Sequence, residues 1–471
     1  MEEKGWYNGE KYVLVEVLGM KIILAGDGKV GTALVGQLTA EGHDLTLIDL
    51  SKDKLEAAAE RYDVMAVAGN CAAMDTLLEA GVADAELLIA VTGADEINLL
   101  CALTAHGLNK NLHTIARIRK PEYIQQIHKM RDVFALSMTV NEEKMAAREI
   151  ERLLKFPGFL GRDAFAKGRA EIVELRIDEN SKLKDVSLME MYRIVGCRVL
   201  VCTVLRSGQA IVPGGNFVLK AGDRIFVTAP TSNLALLLKN LGIFTRRVRR
   251  CLIGGGGRIV YYLATLLRKD RIQVRIMEKD PARCRELAAA LPEAEIILGD
   301  FTNRSEVEDA GLADCDAFLS MTGMDEMNMV TSLFATSRKI PQVVTKLGRP
   351  ENTLLAGELD LGSVICPQEL CSNEIVRYVR AMENQTGAAI SLHTIADGQA
   401  EAVEFLVEEG TRNCGVPLKE LKLRPGVLLA TISHGGKVEI PHGTSTLQSG
   451  DSVVVVTTQR GTIDTLNDIF D

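Results

Sequence analysis

The sequence predicts a duplicated α/β protein: two parallel-sheet units, each followed by a small α+β unit. Three observations predict it. The chain repeats itself at a spacing of 229–230 residues. Each copy opens with an apolar run, a glycine-rich turn and a helical stretch, and each closes in short β-rich runs broken by tight turns.

The repeat is explicit. Residues 21–31, KIILAGDGKVG, stand opposite residues 250–260, RCLIGGGGRIV, so Gly26 matches Gly255, Gly28 matches Gly257 and Lys29 matches Arg258. Asp49 and Glu278 keep the same 229-residue spacing. Residues 68–98, AGNCAAMDTLLEAGVADAELLIAVTGADEIN, then align without gaps on residues 298–328 at a spacing of 230. TIARIRKPE (114–122) faces VVTKLGRPE (343–351), which sets Arg117 opposite Lys346. Late in each copy, PGGNFVLKAGDRIFV from Pro213 resembles PHGTSTLQSGDSVVV from Pro441. The expected boundaries are an extension at 1–19 without counterpart, parallel-sheet units at 20–142 and 248–370, and small units at 158–243 and 390–471. At about 100–200 residues per domain, 471 residues accommodate these four.

In the first copy, Ile22, Ile23 and Leu24 lead into Gly26-Asp27-Gly28-Lys29-Val30-Gly31, then a helical stretch, then the run LTLIDL ending at Asp49. Strand, glycine turn, helix, strand and acid is the order of a Rossmann-like dinucleotide-binding unit. The glycines allow a tight turn and close backbone approach, so a helix N-terminus can present free N–H groups to a pyrophosphate. An acid at the end of the second strand accepts the adenosine ribose hydroxyls and favours NAD over NADP, since a 2′-phosphate would meet a carboxylate. Packing of the helix on its strand would explain Gly31 but not Asp49.

The second copy keeps Gly255, Gly256, Gly257 and Glu278, but Val260 replaces the third glycine and is expected to push the helix off its strand. In both copies a fourth apolar run ends in Thr-Gly, at Thr92-Gly93 and Thr322-Gly323, before the sequence D-E-x-N opens a helix. Open parallel sheets bind ligands at that strand end, so Thr92 is a candidate cofactor contact. Asp95 and Glu96 read at least as well as helix caps. Arg117 and Lys346 have two readings, phosphate contact or surface salt bridge. The stretch EKMAAREIERLLKF carries an apolar stripe, Met145, Ile150, Leu153 and Leu154, for packing against its own domain or for a subunit interface.

Composition narrows the function. Hydrophobic residues at 47% and charged residues at 25% describe a globular chain. A net charge of −9 argues against a general nucleic-acid binder, and the run Arg246, Arg247, Arg249, Arg250 reads as a solvated linker or a local anion site. No apolar stretch approaches the roughly 18 residues that span a bilayer, and MEEKGWYNGE has no signal-peptide character, so a cytoplasmic location is expected. Ten cysteines without a C-x-x-C pair read as reduced, mostly buried residues, and no metal site is expected. The alternative function, an NAD-dependent oxidoreductase, would need an acid/base set beside the nicotinamide, and the seven histidines form none. A redox-responsive transcription regulator would need a basic helix-turn-helix, which is not found.

Taken in order, GDGKVG with Asp49, the AGN…TGADEIN segment, ARIR around Arg117 and their second copies resemble the TrkA family of potassium-uptake regulatory proteins, built from two regulator-of-potassium-conductance (RCK) modules. The match runs from Met20 to Asp471. The resemblance implies two Rossmann-like parallel-sheet nucleotide-binding domains, each with a small C-terminal domain. It implies a non-enzymatic regulator that binds NAD(H), with ATP or ADP as competing effectors. Gly26, Asp27, Gly28, Lys29, Val30, Asp49, Thr92, Gly93 and Arg117 would line the first site. Gly255, Gly256, Gly257, Arg258, Ile259, Glu278, Thr322 and Lys346 would form its copy. Asn70, standing where many such modules carry an acid, and Asp300, which retains one, complete the two candidate sites. The resemblance also implies a TrkH- or TrkG-like membrane potassium-translocating subunit, beneath which four copies form a ring on the inner face of the membrane.

Overall fold

The computed structural model describes residues 5–7, 10–12, 19–130, 133–155, 159–165, 169–243, 247–349, 352–353, 359–382, 389–459, 463 and 465–471; Arg246 and part of the 1–19 extension lie outside them. Two compact units emerge, Met1–Asn141 and Glu142–Asp471. Among the described residues, no helix is long and apolar enough to cross a membrane.

The first unit opens with an antiparallel pair, β1 (Gly5–Tyr7) and β2 (Glu10–Tyr12). Six parallel strands follow: β3 (Lys21–Ala25), β4 (Asp44–Asp49), β5 (Met65–Ala68), β6 (Leu87–Ala90), β7 (His113–Arg117) and β8 (Met138–Val140), in the order β5-β4-β3-β6-β7-β8. Helices α1 (Lys29–Ala40), α2 (Lys52–Arg61), α3 (Met74–Glu79), α4 (Asp95–Leu108) and α5 (Pro121–Met130) connect them. All four residues of β6 and the last four of β3 are buried, the continuous apolar pattern of central parallel strands. The order of strands reverses between β3 and β6, which opens a crevice at their carboxyl ends.

The second unit starts with α6 (Glu142–Lys155). An antiparallel sheet of β9 (Gly161–Phe165), β10 (Ala170–Arg176), β11 (Leu200–Arg206), β12 (Gln209–Ile211) and β13 (Arg224–Pro230) follows, ordered β12-β11-β13-β10-β9, with α7 (Leu188–Val195) and α8 (Thr231–Leu241). A second parallel sheet repeats the first: β14 (Arg250–Gly254), β15 (Gln273–Glu278), β16 (Glu295–Leu298), β17 (Ala317–Ser320), β18 (Gln342–Lys346) and β19 (Ser363–Ile365), ordered β16-β15-β14-β17-β18-β19. Its helices are α9 (Arg258–Lys269), α10 (Pro281–Ala290), α11 (Arg304–Asp309) and α12 (Asp325–Ser337). Helix α13 (Pro367–Met382) leads to the last antiparallel sheet, β20 (Ala389–Ile395), β21 (Ala400–Leu406), β22 (Val427–His434), β23 (Lys437–Glu439) and β24 (Ser452–Thr457), ordered β23-β22-β24-β21-β20. The fold is thus two Rossmann-like parallel sheets, each followed by a five-stranded antiparallel sheet.

Two expectations change. Ile150, Leu153 and Leu154 of α6 are fully buried, but against α9: they share a core with Val260, Leu263 and Leu267, while Met145 is only half-buried. The stripe therefore serves the second nucleotide-type sheet rather than its own domain. Val260 is itself completely buried there, and α9 still begins at Arg258, the counterpart of Lys29 in α1. The two small sheets also share a core, in which Phe165, Ile172 and Phe226 meet Ile395, Ala402 and Val456.

Candidate nucleotide site

The glycine turn joins β3 to α1 at the crevice. Gly26 takes φ 106, a left-handed value that suits glycine, and its N–H donates to the Ile48 carbonyl at 2.8 Å, tying the turn to β4. Gly31 lies so close beneath it that a Cβ there would sit 2.0 Å from the Gly26 oxygen. Gly28 caps α1 with no side-chain hydrogen bond, so the first N–H groups of the helix keep their capacity for an anion. A Cβ on Gly28, or on Gly93 across the crevice, would meet nothing within 4 Å. Neither glycine is needed for packing or for a left-handed backbone; both keep the space above the turn clear. Gly257 and Gly323 do the same in the second copy.

Asp49 ends β4 with one carboxylate oxygen accepting from Asp27 N at 2.8 Å and the other from Ser51 N at 2.9 Å. Glu278 repeats this, accepting from Gly256 N at 2.6 Å and from Lys279 N and Asp280 N at 2.8 and 3.0 Å. The acids therefore do have a structural task, contrary to expectation: they hold the glycine turn against the second strand. Both Asp49 oxygens and Glu278 Oε2 keep a further lone pair with which to accept a ribose hydroxyl, while Glu278 Oε1 already accepts twice.

The remaining predicted residues divide. Val30 and Ile259 bury their side chains, leaving only their backbone to face a ligand. Asp27 is also buried, its carboxylate accepting from the Thr32 hydroxyl at 2.8 Å. Lys29 is exposed at the first turn of α1, whereas Arg258 is held by Glu143 of α6, Nη2 to Oε1 at 2.8 Å. Asn70 and Asp300 shape the loops after β5 and β16: Asn70 Oδ1 accepts from Ala72 N at 3.1 Å, and Asp300 Oδ1 from Thr302 N at 2.9 Å and its hydroxyl at 2.8 Å. These Thr302 bonds hold the Asp300 carboxyl below its usual range.

Thr92 proves less free than expected. Its N–H and hydroxyl both donate to Asn98 Oδ1, at 2.8 and 2.7 Å, while Asn98 Nδ2 donates to the Arg117 carbonyl at 2.9 Å. Arg117 in turn donates from Nη2 to the Thr92 carbonyl at 2.6 Å. Thr322, Asn328 and the Lys346 carbonyl repeat the amide arrangement at 2.6–2.9 Å. Asp95 makes no cap hydrogen bond to its own helix. Nearly fully buried, it accepts from Arg119 N and Lys120 N, each at 2.8 Å, and Asp325 accepts from Gly348 N and Arg349 N at 2.7 and 3.0 Å. Glu96 stays at the surface, where Lys120 and Tyr123 hold its carboxyl down at about 2.

The D-E-x-N motif therefore fastens the loops after the fourth and fifth strands of each sheet. Sequence reasoning passed over Asn98 and Asn328, although both appear in the repeat at that fixed position. It also passed over Arg119, which donates to the Gly93 carbonyl, and Arg283, whose Nε donates to the Gly256 carbonyl at 2.7 Å.

Comparison with known proteins agrees with this arrangement. Residues 22–136 and 251–367 match the TrkA-N domain, and residues 172–242 and 402–471 match the TrkA-C domain. The chain is 30% identical over 437 residues to a "Trk system potassium uptake protein TrkA homolog" of Archaeoglobus fulgidus, covering 93% of this chain and 97% of that protein. It is 28% identical over 462 residues to the "Trk system potassium uptake protein TrkA" of Haemophilus influenzae, covering 96% and 98%. Among solved structures, the GsuK RCK domain superimposes with a TM-score of 0.59 at 18% identity over 95% of this chain and 94% of that one. The GsuK channel bound to NAD gives 0.57 at 17% identity, over 95% and 78%. The chain belongs to the TrkA family, with two TrkA-N and two TrkA-C domains in alternation.

Proposed function

We propose that this chain is the peripheral regulatory subunit of a potassium-uptake system, binding NAD(H) and, in competition, ATP or ADP, and so gating a TrkH- or TrkG-like membrane potassium-translocating subunit. The observation that carries the ligand assignment is the pair Gly28 and Gly93. The protein has room for a side chain at both, yet both are glycine, on either side of an uncapped helix N-terminus with an acid at the end of the next strand. That is the surface a pyrophosphate and ribose require.

The membership in the TrkA family supports the potassium-uptake partner and a non-enzymatic role. A homotetrameric ring on the inner face of the membrane follows from the same resemblance. Phosphates of NADH and ATP would occupy the same turn, Gly26–Gly31, so the two should compete there. A regulator needs only different affinities for two conformations; a preference of about 1.4 kcal/mol per site shifts the equilibrium about tenfold per site.

The test is potassium flux into vesicles carrying the membrane partner, with and without this chain and each nucleotide, alongside NADH absorbance. The expected result is nucleotide-dependent flux with NADH unconsumed. Flux indifferent to the chain, or substrate-dependent oxidation of NADH, would overturn the reading.

A further inference from the structure

The junction of α6 with the two small sheets holds an unusual number of charges for its burial. From α6 come Glu149 and Arg152, paired Oε2 to Nη1 at 2.9 Å. From the first small sheet come Arg162 and Asp163 on β9, Glu171 and Glu174 on β10, and Arg224 on β13; Arg162 pairs with Glu171, and Arg224 with Glu174. The second small sheet adds His393 on β20 and Asp397 in the turn after it. His393 Nδ1 lies 2.9 Å from Asp163 Oδ1, and Arg224 Nη1 lies 2.6 Å from Asp397 Oδ2.

Asp163 and His393 occupy equivalent positions in the two copies, 230 residues apart, so the internal repeat joins to itself through this pair. The charges do not balance. Among the described residues, these five carboxylates, together with Glu404 on β21, buried with its oxygens accepting from the Ser391 and Ser452 hydroxyls, face three guanidinium groups, an excess that burial makes costly unless protons make it up. A carboxyl that takes up a proton relieves that excess.

We propose that this cluster is a proton-sensitive joint between the two small sheets and that Glu149 is the carboxyl that takes up the proton, independently of any nucleotide. Glu171 and Glu174 are each held by a guanidinium, although burial raises the Glu174 carboxyl as well; Glu404 accepts from two serine hydroxyls, Asp397 shares Arg224, and Asp163 has His393. Among the described residues, Glu149 is paired with Arg152 alone, and Arg152 is one-third exposed. The groups that face Glu149 are Arg152 on its own helix, Asp163 and Arg162 from β9, and His393 from β20. Helix α9, packed along α6, brings Arg258 to Glu143, and Asp270 just beyond α9 reaches Lys155; among the described residues no charged group of α9 or α13 is paired with Glu149. Burial raises the Glu149 carboxyl to about 7, against the opposing pull of Arg152. Below about pH 4.5 folded and unfolded chains both carry the proton. Between there and about 7 only the folded chain does, so stability falls as pH rises through this window and levels off above it.

The repeat supplies its own control. Counting from the ends of β8 and β19, Glu149 and Arg152 correspond to Glu374 and Arg377 of α13, which also pair but are more exposed, at 32% and 36%. Infrared difference spectra of the full chain between pH 8.5 and 5.5 should show a protonated-carboxyl band with a midpoint near 7 in the wild type and in Glu374→Gln, but not in Glu149→Gln. Asp163→Asn, by removing the acid whose charge raises Glu149, should move that midpoint to lower pH. In thermal unfolding, Glu149→Gln should exceed the wild type above pH 7, with the gap closing toward pH 5. Retention of the band in Glu149→Gln, its loss in Glu374→Gln, or an unmoved midpoint in Asp163→Asn would overturn the proposal. If Glu149→Gln does not fold, the Asp163→Asn and Glu374→Gln spectra still decide it.

Discussion

The two Rossmann-like sheets share a frame and differ in what fills it. Strand order, the left-handed glycine that opens the turn, the acid that holds the turn and the asparagine that fastens the strand ends are all kept. The filling is not. Beneath β6 and α4 the first sheet buries Ala90, Cys101, Ala102 and Ala116; at the same places the second has Ser320, Thr331, Ser332 and Thr345, joined hydroxyl to hydroxyl at 2.7–3.1 Å. Ala25 and Cys71 become Gly254 and Phe301, and the Phe301 ring takes the space a Gly254 Cβ would need, stacking on Phe318 at 5.0 Å. The comparison teaches that backbone hydrogen bonding to a few polar side chains defines the site, while the apolar fill can be exchanged if volume and polar satisfaction are kept.

The largest effect should come from breaking the frame. Asn98→Ala strands the Thr92 N–H and the Arg117 carbonyl, at about 1–3 kcal/mol each, and Asn328→Ala should do the same to its own sheet. Chemical denaturation of each variant measures this. A loss well under 1 kcal/mol in either would show that the two sheets do not depend on the shared fastening.

Asp49→Ala comes next. It should weaken NAD binding tenfold to a hundredfold, about 1.5–3 kcal/mol, and ATP binding by less, since only part of its effect runs through the turn that it holds. Titration calorimetry with both nucleotides decides it. Equal losses for both would make the carboxylate a support of the turn alone.

Exchanging the third glycine sharpens the contrast. Gly31→Val brings a Cβ against the Gly26 oxygen and should destabilise the first unit by about 1–3 kcal/mol with loss of its nucleotide binding. Val260→Gly empties a filled core position and should not improve binding at the second turn. Improved second-site affinity there would return Val260 to the obstructive role its sequence position suggested.

These residues also mark how far the sequence could be read. Fold class and the location of the crevice were legible because the repeat displays Gly26, Gly28, Gly93 and the acid that closes the second strand twice, at the ends of apolar runs whose length fits buried strands. The work of Asp95 and Asn98 was not, because a D-E-x-N start reads equally as helix capping; only the return of β7 beside β6 brings Arg117, Arg119 and Lys120 within their reach. The partner of the α6 stripe was illegible for the same reason, since periodicity names a buried face without naming what buries it. Val260 looked like damage because the space around a residue 229 positions from its twin depends on neighbours that changed with it.

The smallest effect should separate the two turns by charge. Lys29 stands exposed at the start of α1, while its counterpart Arg258 is engaged by Glu143, whose side chain is only 11% exposed. An anion arriving at Gly255–Gly257 therefore meets a guanidinium already shared with a carboxylate, and the carboxylate itself repels it. Glu143→Gln keeps the shape and a hydrogen-bond acceptor for Arg258 but removes that charge. Because Arg258 is 44% exposed and solvent screens the pair, the change is worth about 0.2–1 kcal/mol, a gain in second-site nucleotide affinity of several-fold at most, with the first site unchanged. The gain should shrink as salt is raised, since screening weakens the repulsion being removed. Nucleotide titrations of Glu143→Gln in an Asp49→Ala background, at low and high salt, isolate the second turn. An affinity that falls, or a gain that salt leaves untouched, would mean that Glu143 orders Arg258 for the nucleotide instead of withholding it.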